Sequence, residues 1–269
     1  MCYDRQVRLV IVCASLLAAA ATLPAAAEDD PLARARLLYN QRQFEAAVAA
    51  ADEARSLRGR ADSADLVAAR AYLERFRESA APADLASARE RLRRLDPLGF
   101  DTRERAEFII GLGEALFFDG VPGAAAEVFD SVLGAPYDLR ADARELVLDW
   151  WASAQDREAR PRADAPRRVI YERIRDRMRA ELAVHPGSSA AAYWLAAAAR
   201  GQGDLDGAWD AAQAGWVRAP LAIDRGAALR GDLDRLVLRG LAPERAKARA
   251  LSVDSVILEW EQFKVRWNK

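Results

Sequence analysis

Alanine and arginine dominate this chain, and that bias limits its fold more than any other feature of the sequence. Of the 269 residues, 60 are alanine and 37 are arginine, whereas isoleucine occurs only 7 times. Alanine and arginine are strong helix formers, and the β-branched residues that favour strands are scarce. The composition therefore predicts an all-helical protein. With 52% hydrophobic residues and a net charge of -1, the chain is too apolar to be disordered and too balanced in charge for a dedicated nucleic-acid binder.

The first 27 residues have the pattern of a secretory signal peptide. Arg5 and Arg8 precede an uncharged, apolar run of 15 residues at 9–23, and Ala25-Ala26-Ala27 precedes the acidic Glu28. A basic flank, a short apolar segment and an A-x-A site are typical of an export signal, so we expect cleavage after Ala27 and a periplasmic or secreted mature chain. The alternative is a retained membrane anchor, although roughly 20 apolar residues are needed to span a bilayer.

Both cysteines, Cys2 and Cys13, lie in this segment, so the mature chain is expected to form no disulfide and to have no thiol nucleophile. An exported chain without cysteine is more typical of a bacterial periplasm than of a eukaryotic secreted domain. The single histidine, His185, argues against a His/Cys zinc site, and its place before Pro186 favours a surface or packing role. No phosphate loop, dinucleotide fingerprint or calcium loop occurs in the sequence. The sequence thus predicts no metal, no cofactor and no enzyme activity.

Two segments have the pattern of a helical hairpin. Residues 109–136 break at Gly120-Val121-Pro122-Gly123, and residues 192–220 break near Gly203. Small residues let two antiparallel helices approach closely, and a terminal proline stops the second helix. Their spacing resembles that of tetratricopeptide repeats. The matching positions are Leu112, Gly113, Leu116, Gly120, Ala125, Phe129 and Val132 in the first segment, and Leu195, Ala196, Ala199, Gly203, Ala208, Ala212, Gly215 and Pro220 in the second.

Three further hairpins follow from weaker periodicity, at residues 34–57, 63–97 and 140–186. The resemblance then implies a tetratricopeptide-like α-solenoid of about five helical hairpins over residues 28–220. Solenoids of this kind have stacked repeats, each of which contacts its neighbours. The alternative is an irregular helical bundle.

After Pro220 the pattern changes, and residues 221–269 predict a C-terminal helical capping unit. Residues 224–239 predict one helix that Gly240 ends, and Ser252 or Asp254 is expected to cap a last helix. Such a unit would cover the last hydrophobic face of the solenoid.

Three aromatic residues form a stripe on that last helix. Trp260, Phe263 and Trp267 are spaced i, i+3 and i+7, which places them on one face. We expect the stripe to anchor the cap, where Trp209 and Trp216 could receive it. The alternative is an exposed docking helix.

The most polar stretch, residues 157–168, carries five arginines and two prolines, Pro161 and Pro166. The prolines predict a loop between helices. Its arginines would either be solvated or contact an acidic partner.

The resemblance also implies a binding face. In tetratricopeptide solenoids the first helix of each hairpin lines a concave surface that holds ligand peptides, and aromatic and arginine anchors suit such a groove. Carried over by position, the partner-binding residues are Arg36, Tyr39, Asn40, Ile110, Glu114, Phe117, Phe118, Tyr193 and Arg200. The alternative is that Phe117 and Tyr193 pack between hairpins.

The function that the resemblance implies is a non-catalytic protein–protein interaction scaffold of the bacterial cell envelope. It would hold a protein or peptide partner in the concave face, without nucleic acid and without stable membrane insertion after signal cleavage. Two alternatives stay open: a helical-toroid enzyme that acts on cell-wall glycan, marked by a carboxylate in a deep cleft, and a membrane-tethered envelope assembly factor.

Overall fold

The computed structural model describes residues 30–134, 137 and 139–267. These residues form helices joined by short turns, with no β-strand among them, which confirms the prediction of an all-helical protein. Contacts divide the chain into two compact units: unit 1 ends at Gly120 and unit 2 begins at Val121. The predicted signal peptide and both cysteines lie outside the described residues.

Unit 1 is built from neighbouring helices that pack in pairs. Its helices are α1 (Pro31–Asn40), α2 (Phe44–Arg55), α3 (Ala61–Ser79), α4 (Pro82–Arg94) and α5 (Thr102–Phe118), with a 3-10 turn at Pro97–Gly99 before α5. Each helix packs against the next one in this unit, and α3 packs in addition against α1 and α5. The three odd-numbered helices therefore lie side by side, and we call them the odd layer of unit 1.

Unit 2 follows the same scheme. Its helices are α6 (Pro122–Gly134), α7 (Ala141–Ala159), α8 (Asp164–Val184), α9 (Ser189–Gln202), α10 (Leu205–Arg218), α11 (Ala227–Leu236), α12 (Ala242–Arg249) and α13 (Val253–Trp267). Neighbours from α6 to α11 pack against each other, and α9 packs also against α7 and α11. Helices α7, α9 and α11 thus form the odd layer of unit 2. The residues that we predicted as a capping unit belong to this compact unit.

Helix ends follow the local chemistry of the sequence. The side chains of Asp101, Ser188 and Asp204 accept hydrogen bonds from the first free backbone N–H groups of α5, α9 and α10. Pro31 and Pro82 occupy first positions of their helices, where no N–H donor is needed. Turns of the structure fall at Gly120 and at Gly203, where the two clearest segments were predicted to break, and helices occupy the ranges of all five predicted hairpins.

Gly240 does not end a helix, and that prediction is wrong. Helix α11 continues through a π-helical segment, Val237–Leu241, directly into α12. A Cβ atom at Gly240 would lie 2.4 Å from the Cζ atom of Arg200. The glycine therefore leaves space for the guanidinium of Arg200 on α9, and it does not stop the helix.

The predicted loop at residues 157–168 is also much shorter than expected. Helix α7 runs on to Ala159 and α8 begins at Asp164, so only residues 160–163 connect them. Pro166 lies in the first turn of α8, where the backbone N–H groups have no intrahelical partner in any case. Ion pairs three or four residues apart neutralise most of the arginines: Arg160–Asp156, Arg162–Glu158 and Arg167–Asp164.

The aromatic stripe of α13 is buried at its first two positions. Trp260 is fully buried and Phe263 is 7% exposed, whereas Trp267 is 52% exposed. The Trp260 ring lies 5.8 Å from the ring of Trp209 and 5.6 Å from that of Trp216, which confirms that these two tryptophans receive the stripe. These side chains join the core that α9 to α13 share.

Gly226→Ala is expected to destabilise unit 2 much more than Gly203→Ala. Both glycines have positive φ, +77° and +84°, so both substitutions carry left-handed strain of about 1–2 kcal/mol. Only at Gly226 would the new Cβ meet backbone, 2.3 Å from the carbonyl oxygen of Ala219; nothing lies within 4 Å at Gly203. Urea unfolding followed by tryptophan fluorescence measures the difference, because all seven tryptophans lie in unit 2. Equal losses for the two variants would contradict the steric explanation.

Candidate functional site

A carboxylate joins all three helices of the odd layer of unit 1. Glu104 on α5 accepts a hydrogen bond from Arg36 Nη2 on α1 at 2.6 Å and from Ser63 Oγ on α3 at 2.5 Å. The position of Glu104 is fixed locally, since its backbone N–H donates to Asp101 Oδ1 at 2.7 Å in the cap of α5. The predicted site residue Arg36 is therefore engaged in the layer, with 42% of its side chain still exposed.

A second cluster lies further along the same layer. Arg70 on α3 places its Cζ atom 5.7 Å from the ring centre of Tyr39 on α1, and its Nε atom lies 3.8 Å from Glu114 Oε2 on α5. Glu74, one turn after Arg70, belongs to the same cluster and forms an ion pair with Arg77. We call Tyr39, Arg70, Glu74 and Glu114 the buried charge cluster.

The buried charge cluster is not fully hydrogen-bonded. The distance between Arg70 and Glu114 is too long for a hydrogen bond, and neither Arg70 Nε nor Glu114 Oε1 has another partner. Glu114 is 2% exposed and Arg70 is 8% exposed, so water does not replace the missing partners freely. Gly111 faces this cluster on α5, and a Cβ there would lie 3.3 Å from Arg70 Cδ, so a larger residue would require a small shift of the Arg70 side chain.

Burial changes the acidity of this cluster. Desolvation raises the pKa of Glu114 to about 7, and the negative charge of Glu74 acts in the same direction, while Arg70 and Arg77 oppose the shift. Desolvation likewise raises the pKa of Tyr39 to about 12. Near neutral pH, Glu114 therefore exchanges between a neutral acid and a buried anion.

The other predicted residues of unit 1 differ in how far a partner could reach them. Asn40 is exposed at the end of α1, and Phe117 is partly exposed at the end of α5. Ile110 is buried, with 5% of its surface exposed. Phe118 packs edge-on against Phe76 at 4.9 Å between ring centres and adjoins the core of α3, α4 and α5.

In unit 2, Tyr193 and Arg200 both lie on α9, and both make contacts within the fold. The ring of Tyr193 lies 5.4 Å from that of Trp194, whose Nε1 donates to Asp149 on α7 at 2.7 Å. Arg200 donates to both carboxylate oxygens of Glu244 on α12, at 2.9 and 2.6 Å. Arg200 thus helps to hold α9 against α12, whereas Tyr193 packs against the core that α9 to α13 share.

Sequence reasoning missed Arg70, Glu74, Ser63 and Glu104. The first three lie on the first helix of the second hairpin, a weak repeat from which we carried no residue over. One sequence signal points to Arg70: when the second hairpin is aligned with its neighbours, Arg70 falls near the register positions of Tyr39 and Glu114. Nothing in the composition or the residue spacing indicates that Glu104 on α5 accepts hydrogen bonds from both α1 and α3.

The described ranges lack two features that would have suggested other functions. Within them, no group of His, Cys, Asp and Glu side chains is arranged to hold a metal ion. No helix in the same part of the chain combines the length and the apolar character needed to span a membrane. A scan against protein-family models finds no match to this chain, and searches of curated proteins and of solved structures find none either.

Proposed function

We propose that this chain is a non-catalytic protein-binding scaffold, built as a tetratricopeptide-like solenoid and exported to the bacterial cell envelope. The observation that carries the proposal is the packing of alternate helices: α1, α3 and α5 lie side by side in unit 1, as do α7, α9 and α11 in unit 2. Stacked helical hairpins produce this arrangement, because the first helix of each repeat packs on the first helix of the next. A layer of first helices is the surface on which such repeats hold an extended or helical partner.

The accessible part of the odd layer of unit 1 would contact the partner. Asn40 is exposed, Arg36 is 42% exposed, and Tyr39 and Phe117 are partly exposed. Aromatic and arginine side chains of this kind supply most of the binding energy in protein interfaces. Ile110 and Glu114 lie beneath this surface and would support it rather than contact the partner.

In unit 2 the corresponding residues are Tyr193 and Arg200. Arg200 keeps 34% of its side chain exposed while both of its hydrogen bonds to Glu244 are made. An arginine held in place in this way loses little conformational entropy when a partner binds.

Cross-linked affinity capture from the native envelope, read by mass spectrometry, tests the proposed face. Asn40→Glu adds one negative charge to an exposed position of α1, and Ala86→Glu adds the same charge to an exposed position of α4. We expect a reproducible protein partner that Asn40→Glu weakens about tenfold, a loss of about 1.4 kcal/mol, and that Ala86→Glu leaves unchanged. Equal capture by both variants would exclude the odd layer, and capture of glycan fragments alone would favour the cell-wall enzyme.

Export has its own test. The intact mass of the protein isolated from its native cells is expected to lack residues 1–27, the predicted signal peptide. A mass that retains these residues would contradict cleavage and favour the membrane-tethered assembly factor.

A further inference from the structure

Two turns meet at one end of unit 2 and carry large apolar side chains that face solvent. One joins α8 to α9, and the other, at residues 219–226, joins α10 to α11. They are in contact, because a Cβ added at Gly187 would lie 2.5 Å from the carbonyl oxygen of Leu221. Val184 is 72% exposed, Leu221 is 63% exposed and Ile223 is 82% exposed. We call these three side chains the apolar tip of unit 2.

The segment at residues 219–226 is anchored by its own packing. Ala219 is fully buried, and Gly226 packs so closely on it that a Cβ there would lie 2.3 Å from the carbonyl oxygen of Ala219. Asp224 accepts hydrogen bonds from the backbone N–H groups of Gly226 and Ala228 at 2.8 and 2.9 Å. The fold therefore holds the two apolar side chains of this segment in solvent, although it packs the backbone around them against the rest of the unit.

The apolar tip is flanked by positive charge. Arg218 and Arg225 are exposed beside it, and neither forms an ion pair with any residue that the structure describes. Carboxylates on the adjoining elements are already engaged: Glu181 accepts hydrogen bonds from an arginine, and Glu145 and Asp224 accept them from backbone N–H groups. This end of unit 2 thus combines exposed apolar side chains with basic groups that are free to bind an anion.

We propose that the apolar tip is a peripheral membrane contact, which enters the headgroup region of an anionic phospholipid bilayer while Arg218 and Arg225 bind lipid phosphates. Binding at a membrane surface combines the burial of apolar side chains with the attraction of basic residues to anionic lipids, and this surface offers both. The contact needs no spanning helix, and it does not depend on what the odd layers bind.

Two features favour a bilayer over a protein as the occupant. The apolar side chains lie on separate turns and do not line a groove or one helix face, so a fluid surface accommodates them without a matching shape. A second copy of this chain fits less well, because docking of the apolar tip on itself about a two-fold axis would bring the arginines of both copies together.

Vesicle flotation of the protein isolated from its native cells tests the apolar part. We expect binding to vesicles that contain phosphatidylglycerol, and weaker binding to pure phosphatidylcholine. Ile223→Asp is expected to weaken binding at least about tenfold, because it replaces an inserted apolar side chain with a charge. Val169→Asp is the matched control, since Val169 is 64% exposed and lies about 22 Å from Val184 along α8.

Substitution of the two arginines tests the charge. Arg218→Gln and Arg225→Gln are each expected to weaken binding to the phosphatidylglycerol vesicles about fivefold and to leave binding to phosphatidylcholine unchanged. Arg168→Gln, at an exposed position beside Val169, is the control. A parent chain that does not bind the anionic vesicles, or an equal loss in the tip and control variants, would overturn the proposal.

A polarity-sensitive fluorophore reports entry into the bilayer directly, whatever the N-terminal residues contribute to binding. Cys2 and Cys13 are the only cysteines, so a full chain with both replaced by serine can be labelled at Ile223→Cys alone. We expect its emission to shift to the blue when phosphatidylglycerol vesicles are added, and the same label at Val169→Cys to show no shift. A shift at both positions or at neither would overturn the proposal, as would a shift that protein concentration produces without lipid, which would indicate a second copy instead.

Discussion

Trp260→Ala is expected to lower the free energy of unfolding of unit 2 by about 3–5 kcal/mol, the range for truncation of a fully buried tryptophan. The ring is fully buried and contacts the rings of Trp209, Trp216 and Phe263. Its Nε1 also donates to Asp234 at 2.7 Å, so the substitution removes a hydrogen bond as well as packing. Urea unfolding followed by the fluorescence of the remaining tryptophans measures the loss in unit 2 alone.

Trp267→Ala is the matched control on the same helix. Its side chain is 52% exposed, and its ring lies 6.4 Å from that of Phe263 between centres. We expect a loss below about 1 kcal/mol, as for substitutions at exposed positions. A loss as large as that of Trp260→Ala would mean that the end of α13 is held more firmly than its exposure indicates. A negligible effect of Trp260→Ala would show that α13 does not stabilise unit 2.

The helices of this chain were predictable because their signals are local. Proline at first positions, glycine in turns and the spacing of apolar residues act over a few residues, and the breaks that they mark are found at the expected places. The stripe of Trp260 and Phe263 was predictable for the same reason, since one helical turn relates its members.

The errors arise where a residue's role depends on a distant partner. Gly240 has the features of a helix stop, but the helix continues through it, and its missing side chain leaves room for the guanidinium of Arg200, forty positions earlier in the chain. The end of α7 was misplaced because ion pairs along the helix, such as Arg160–Asp156, support residues that a proline-rich composition assigns to a loop.

The buried charge cluster combines both situations. Tyr39 and Glu114 could be placed on first helices by their register, and the same register points to Arg70, but the contacts of Arg70 with both residues depend on the packing of α3 between α1 and α5. A buried ion pair adds little net stability, because the cost of removing the charges from water offsets their attraction. Because Glu114 is buried and its Oε1 atom has no hydrogen-bond partner, the charge of its carboxylate is poorly compensated. We therefore expect its protonation state to affect the stability of unit 1 directly.

The free energy of unfolding of unit 1 is expected to fall as the pH rises from about 5 to about 8. The folded state holds the pKa of Glu114 at about 7, against an ordinary value of 4.5. Below pH 4.5 the carboxyl is protonated in both the folded and the unfolded state, so its burial carries no charge penalty. Above pH 7 the folded state must bury an anion that the unfolded state exposes to water. The protonated carboxyl therefore gives its full stabilisation below the pKa of the unfolded state, and this stabilisation is lost as the pH rises through the pKa of the folded state. The loss in the free energy of unfolding is on the order of 1–3 kcal/mol. Glu181, whose pKa is held below its usual value by Arg144, acts only on the acid side of this window.

Glu114→Gln tests this explanation, because glutamine has the shape of the protonated acid and no charge. We expect the variant to remove most of the pH dependence between about pH 5 and pH 8. Glu107→Gln is the matched control, two turns earlier on α5, where the side chain is 29% exposed. Helical circular dichroism follows both units and tryptophan fluorescence follows unit 2, so a transition seen only by dichroism belongs to unit 1. A flat profile in the parent chain, or a parallel decline in Glu114→Gln, would show that another group titrates.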